Sequence, residues 1–318
     1  MNIIKKIVTC SLLACMSIFF VFNTTGCSTP TAEELIKETN ANISKISSFE
    51  ANAKMDLDMN MSMSGTEIPF ATTFDLNIKA TTKPSVIHMD GNMSMDLFGG
   101  SNKADMESYV TVDGKDIITY TKESDGSSWS KTISEGEESP SSDILSMLSG
   151  VTVSDAKYTL EETKEKINDA DVYLLKATLN YDQVKSILGS SLFKDSAITN
   201  ELTSENYDYS NFKPSVEVYV YKDSKLPAKV TLDMAKALEN MMNTVSGATA
   251  DEASSAQSSV SAKKFNISLT FSNFNKVDAI TIPESVLSSA ESNSSTNETI
   301  SPEETIVPEE TTTTSKKD

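Results

Sequence analysis

The sequence has no arginine: its 27 basic side chains are all lysine, and it holds one histidine (His88), one tryptophan (Trp129) and three cysteines. Each shortage removes a class of chemistry. Without arginine there is no bidentate fork for phosphate or carboxylate and no arginine finger. A single histidine rules out, within one chain, a two-histidine metal site or a histidine relay. Against the lysines stand 46 acidic groups, for a net charge of −19. A chain this acidic offers phosphate no basic face, so nucleic acid is excluded as a partner. No Gly-x-Ser-x-Gly elbow and no glycine-rich phosphate loop occurs. We therefore expect no enzyme, no cofactor and no metal site.

Cysteine is confined to Cys10, Cys15 and Cys27, so disulfides and thiolate metal sites are not expected in the folded part. Lys5 and Lys6 precede an apolar run over residues 7–22, which is short for a membrane span. Asn23-Thr24-Thr25-Gly26-Cys27 follows, then polar Ser28-Thr29-Pro30. A small residue before a cysteine just past such a run looks like a bacterial lipoprotein signal. Residues 1–26 are read as the signal peptide, Cys27 as the lipid attachment point and 27–31 as a linker. Leu12-Leu13-Ala14-Cys15 is a competing match. Two acyl chains on one cysteine suffice for stable anchoring. The expected location is the extracytoplasmic face of the cell membrane, lipid-anchored, as a monomer.

Thr31 with Glu34 forms a capping box, and Ala32, Leu35, Ile36, Thr39, Ile43 and Ile46 make one apolar helical stripe to about Ser47. The period then becomes two. From Phe49 to Met63 odd positions are apolar and even positions polar, which predicts a long strand with one dry face. Ser64 to Pro69 is read as a turn. Alternation resumes over Phe70–Ile78, Ile87–Leu97 and Ala104–Val112. Asp113-Gly114 and Asp125-Gly126 signal hairpins into Asp116–Lys122 and Trp129–Ile133. These strands predict an up-and-down antiparallel meander.

Further on, Ser142–Ser149 reads as a short helix closed by Gly150. Tyr158–Glu165 and Val172–Leu179 read as a hairpin across Asn168-Asp169, and Asp182–Leu188 as a helix. Ser215–Tyr221 and Ala228–Asp233 form another hairpin. Met234, Leu238, Met241, Met242 and Val245 stripe a helix, and Phe265–Phe271 is the last strand. Residues 246–262, rich in Ser and Ala, are expected to be a disordered insert, and 284–318 a disordered acidic Ser/Thr/Glu/Pro tail. One α+β domain is expected over 32–283.

Several short motifs resemble a known group. Ser127-Ser128-Trp129-Ser130-Lys131 looks like its Gly-x-Trp-x-Lys strand. Lys225-Leu226-Pro227-Ala228-Lys229 looks like its Leu-Pro-x-Lys hairpin, and Ile282-Pro283-Glu284 like its terminal Ile-Pro-Glu. The chain resembles the superfamily of bacterial lipoprotein carriers and mycobacterial lipid-transfer lipoproteins, and more closely uncharacterised Gram-positive lipoproteins placed beside them. The resemblance implies a strongly curved antiparallel meander, an unclosed half-barrel, with helices packed on the concave side. It also implies an acyl-chain ligand held for transfer or sensing. Carrier members often use a basic residue at a membrane receptor; with no arginine here, that contact does not transfer.

The candidate cavity lining is Met55, Leu57, Met59, Met61, Met63, Phe74, Leu76, Ile78, Met89, Met93 and Met95, all on the apolar parity of their strands. Unbranched methionine suits a pocket for variable chains, and it equally suits plain core filling. A thioether copper site is disfavoured, because Met-x-Met follows from alternation. His88 falls on the polar parity and is expected to be an exposed sheet histidine. Trp129 is expected at a sheet edge or cavity rim, and Asp56 and Asp58 as solvated charge. The alternative function is a cell-envelope interaction protein with a filled core and a protein partner. The leader carries +2 and the tail from Glu284 −6, so −19 − 2 + 6 leaves −15 on Cys27–Pro283. The acidity belongs to the domain.

Overall fold

The computed structural model describes residues 29–63, 66–97, 100–122, 128–135, 139–153, 156–188, 212–248 and 259–293. The leader with Cys15 and Cys27, the Asp125-Gly126 turn, residues 249–258 and the tail from 294 lie outside them.

Helix α1 (Ala32–Ile43) carries the expected capping box. The Glu34 backbone N–H donates to Thr31 Oγ1 at 3.2 Å, and the Thr31 N–H donates to Glu34 Oε2 at 2.9 Å. Two donors that a helix start leaves open are thereby satisfied. The Thr31 N–H, and the Thr31 hydroxyl donating to the same oxygen at 3.0 Å, hold the Glu34 carboxyl below its usual range. The helix stops at Ile43, earlier than the stripe suggested, because Ile46 is buried in the turn that leads into the first strand.

An up-and-down run follows: β1 (Ser48–Met63), β2 (Thr66–Thr82), β3 (Ser85–Leu97), β4 (Gly100–Asp113), β5 (Asp116–Lys122) and β6 (Trp129–Glu135). The β4–β5 hairpin closes Asp113 against Asp116, with Gly114 at φ 66°, where glycine has no steric penalty. Helix α2 (Pro140–Val153) crosses next, then β7 (Thr159–Glu161), β8 (Lys166–Ile167), β9 (Ala170–Thr178) and α3 (Tyr181–Leu188). The second half is β10 (Ser215–Tyr221), β11 (Pro227–Asp233), α4 (Ala235–Ala248), β12 (Ser259–Ser272), α5 (Glu284–Ser289) and β13 (Ala290–Asn293).

All these strands join in the order β13-β6-β5-β4-β3-β2-β1-β12-β11-β10-β9-β7, with β8 pairing off that path onto β9. Every pairing is antiparallel except β13 on β6. The result is an unclosed curved antiparallel sheet. Its centre is the long-range pairing of β1 with β12.

Four local expectations are corrected. Pro69 lies inside β2, opposite Asn60, and not in a turn; the β3 ladder ends at Phe70↔Leu97, so Pro69 has a neighbour on one side only. Helix α2 runs through Gly150, since burial of Ile144 and Leu148 outweighs a glycine cost of about 1 kcal/mol. Part of the Ser/Ala insert is strand: Ser259–Ala262 pairs with the end of β1. Val260 and Ala262 fall on the opposite parity from Phe265 and Ile267, and a bulge at Lys263 absorbs the slip. Finally, the fold continues past Pro283. Val286 of α5 is buried against Tyr109 and Tyr120, and β13 adds to the β6 edge. A few apolar side chains were enough to order this polar stretch.

One principal core joins Leu35 and Ile43 of α1, Ile144 and Leu148 of α2, Val184 of α3, Met234 just before α4 and Leu238 within it to the apolar parity of the strands. The helices therefore pack on the dry face of the sheet. The hydroxyl of Ser85, at the start of β3, pins the start of α2 by bonds of 2.6 and 2.8 Å to Ser139 and Ser141.

Candidate functional site

The strand registers place the candidate residues on one face. One row runs Ile267, Met55, Phe74, Met93, Ala104 across β12, β1, β2, β3 and β4. The next runs Phe265, Leu57, Thr72, Met95, Asn102, and a third runs Ala262, Met59, Phe70, Leu97, Gly100. Toward α2 the rows contain Leu76, then Ile78 and Met89.

Burial divides the candidates. Leu57, Met59, Leu76 and Ile78 are buried in the core. Met55, Met61, Phe74, Met89 and Met93 are half-buried, and Met95 is 38% exposed. The side chain of Met63 lies outside the described residues. On the same inward face stand Leu97 at 38% and Met106 at 37% exposure, with Phe70 half-buried. The sequence reading omitted Phe70, Leu97 and Met106 from the lining. Met106 faces inward opposite Gly91, and only the β3–β4 register shows that.

This inner face carries no charge among the described strand residues from β12 to β6. Past the methionines its composition turns to neutral hydroxyls: Ser108, Thr119, Thr121, Ser130 and Thr132 occupy the inward register of β4, β5 and β6. The outward face is the reverse. Lys54 pairs with Asp75 at 2.8 Å, Lys263 with Asp58 at 3.8 Å, Lys264 with Asp56, and Lys122 with Glu107 at 3.2 Å. The Lys54 ammonium and the Asn52 amide hold the Asp75 carboxyl below the usual range. Asp56 and Asp58 are thus paired to lysines.

His88 is not the exposed histidine expected. Its ring stacks on Tyr109 at 4.4 Å, and Tyr109 in turn packs against Trp129 at 5.8 Å. Its side chain is 21% exposed, with Nε2 3.6 Å from Glu107. Burial, with Glu107 and Asp90 nearby, raises the Tyr109 phenol above its ordinary value. The polar parity of β4–β6 is roofed by the C-terminal segment, where Ile280, Ile282 and Val286 pack on these aromatics. Trp129 sits half-buried there, near the edge of the sheet and on the side opposite the methionines. Among the described residues the hydrogen bonds and ion pairs bring no serine, histidine and carboxylate together. Among the described residues no three His, Cys, Asp or Glu side chains gather as metal ligands, and no helix is long and apolar enough to cross a membrane.

Chemically, the inner face can exclude water from an apolar partner. Fully burying a Leu or Met side chain stabilises by about 1.5–3 kcal/mol, so leaving several partly open forfeits burial that an added apolar surface would recover.

A family model described as "Family of unknown function (DUF6612)" matches residues 31–291. A search of the curated proteins finds no match. Among solved structures the chain is similar to LprF from Mycobacterium bovis, at 12% identity over 79% of this chain and 96% of that one, with a TM-score of 0.42. It is also similar to a LolA superfamily protein from Nitrosomonas europaea, at 12% identity over 80% and 96% of the two chains, with a TM-score of 0.19. A DUF1329 family protein from Desulfovibrio piger matches at 10% identity over 78% and 93%, with a TM-score of 0.20. At such low identity and overlap, the ligand has to be argued from this chain's own side chains.

Proposed function

The chain belongs to this family of unknown function, DUF6612, whose name assigns no activity, and we propose that it is a binding protein that holds a lipid or similar hydrophobic molecule on its inner face. The observation that carries this is the run of Met55, Phe70, Phe74, Met93, Met95, Leu97 and Met106: charge-free, inward in register, and open at its β3–β4 end. Methionine and phenylalanine give such a wall adaptable apolar contact.

Gly91 supports a concave inner face. A Cβ there would lie 2.0 Å from the backbone oxygen of Asp75 and 2.8 Å from Leu76 Cα. Backbone crowds the inward side of β3 in this way when a sheet bends toward that side. Helices α1 and α2 then sit within the half-barrel, and the mechanism is apolar burial with no bond chemistry.

The same proposal takes Cys27 as the lipidated residue and the outer face of the cell membrane as the address. The domain's acidity suits a body held near an anionic surface by an anchor and repelled from it within about 8 Å. The bound molecule would be held for transfer or sensing.

The test is to express the chain from Ser28 onward, without the anchor, and analyse its organic extract by mass spectrometry. Saturable uptake of a fluorescent fatty acyl probe is then measured on the same material. Co-purified lipid, and uptake that falls at least several-fold in Met93→Trp and Met106→Trp, is the expected result. A folded protein that takes up no apolar probe overturns the reading in favour of a filled interaction module.

A further inference from the structure

Thr72 interrupts the apolar face. It lies on the inward register of β2, between Leu57 of β1 and Met95 of β3. The residue is 5% exposed, and its Oγ1 is buried with no hydrogen-bond partner among the described residues. Three other buried polar atoms share that condition, and none faces the open strands inward. Thr39 is on α1, while Thr231 and His88 stand at outward register. A buried hydroxyl without a partner is destabilising, and valine would fill the same volume without that cost. Its neighbour across the strand, Met95, is exposed and unbranched, so the wall beside the hydroxyl can yield to an incoming atom.

We propose that Thr72 is the polar contact of the ligand site, its hydroxyl donating a hydrogen bond to the ester carbonyl of an uncharged acyl ester lipid. The inference rests on the hydrophobic-ligand reading above and adds to it. The charge-free face supplies the second constraint. Every lysine of β1–β6 stands at outward register, including Lys54, Lys79, Lys103, Lys122 and Lys131. A carboxylate or phosphate drawn onto the inner face would meet no counter-charge there, whereas an ester needs only one donor. The apolar rows beside Thr72 suit its chain.

The experiment uses the purified, delipidated protein and three probes: the methyl ester of pyrenedecanoic acid, the free acid, and dodecylpyrene, which has no polar group. Thr72→Val, Thr72→Ser and Thr72→Ala are compared with the parent by fluorescence titration and by thermal unfolding. The expected result is that Thr72→Val weakens the ester roughly fivefold, the effect of one hydrogen bond. Dodecylpyrene affinity stays unchanged, and the unliganded Tm does not fall. Thr72→Ser keeps the ester preference, and Thr72→Ala loses it even if the valine variant does not fold. The free acid at neutral pH binds the parent more weakly than the ester. Equal effects of Thr72→Val on ester and hydrocarbon, no effect on either, or free acid bound as tightly as ester each overturn the proposal. If no probe binds the parent, the hydrophobic-ligand reading itself fails, and the Thr72 assignment with it.

Discussion

Two halves of one apolar face behave differently. On β9 to β12 the large inward side chains are branched or aromatic, among them Leu175, Val216, Val218, Val230, Leu232, Ile267, Phe265 and Phe271, all buried. On β2 to β4 the large apolar side chains facing inward away from α2 include Phe70, Phe74, Met93, Met95, Leu97 and Met106, half-buried or exposed, with Thr72 buried among them. Both halves alternate with the same period, and β1 joins them. What differs is side-chain shape and cover. Stiff, branched side chains settle into one packing, and α4 lies against β12 with Asn243 bonding both the N–H and the C=O of Val260. Unbranched methionines make fewer demands on their neighbours and tolerate a changing one. The filled half is covered by helix and branched side chains, and the open half leaves Met95, Leu97 and Met106 exposed.

The sharpest way to break this comparison is truncation on each side. Phe265 is fully buried, and Phe265→Ala should destabilise by about 3–5 kcal/mol in transfer and cavity terms. Met95→Ala removes a side chain already 38% exposed and should cost well under about 1 kcal/mol. Urea unfolding of both variants measures the difference. Equal losses would show that the two halves are one core.

The next effect comes from the bend between them. Gly91→Ala places a Cβ 2.0 Å from the Asp75 backbone oxygen, an atom that cannot swing aside. Strands β2 and β3 must separate, and the overpacking penalty is about 1–3 kcal/mol or more. If the open half depends on that bend, Gly91→Ala also loses ligand uptake at temperatures where it remains folded. Retained uptake with lowered stability would confine Gly91 to packing.

The alternation that both halves share was legible in the sequence. Alternation from Phe49 through Leu97 located β1 and β3 and assigned every methionine to its face. The Asn168-Asp169 turn was legible because both residues favour the left-handed region, and they adopt φ 50° and 62°. Filled and open regions were not separable, since Leu57 and Met95 share one row and differ only in what covers them. Ser259–Ala262 was obscured by small side chains and by the bulge at Lys263, which breaks the period where a strand continues. The roof over Tyr109 and Tyr120 was missed because Ile280, Ile282 and Val286 show no periodicity; their partners are remote in sequence. Thr72 falls within the alternation of Phe70–Ile78, and only its burial without a partner sets it apart.

The smallest effect lies on the other side of the same strands. The outward face of β1 and β2 is joined by ion pairs, among them Lys54–Asp75 at 2.8 Å. The groups are 56% and 41% exposed, so solvent screens them and the pair is worth only about 0.2–1 kcal/mol. Asp75 is held below its usual range by Lys54 first and Asn52 second. A carboxyl with a lowered folded value stabilises the fold above the unfolded value, near pH 4, and that contribution disappears as the pH falls through the folded value. Lys54→Ala should therefore lower stability by a few tenths of a kcal/mol at neutral pH and by nothing at pH 2, while leaving ligand uptake unchanged at both. A pH series of urea midpoints for parent and variant measures it. A deficit that persists at pH 2 would mean that the lysine stem packs on the sheet, which would make the outward face more than a solvated surface.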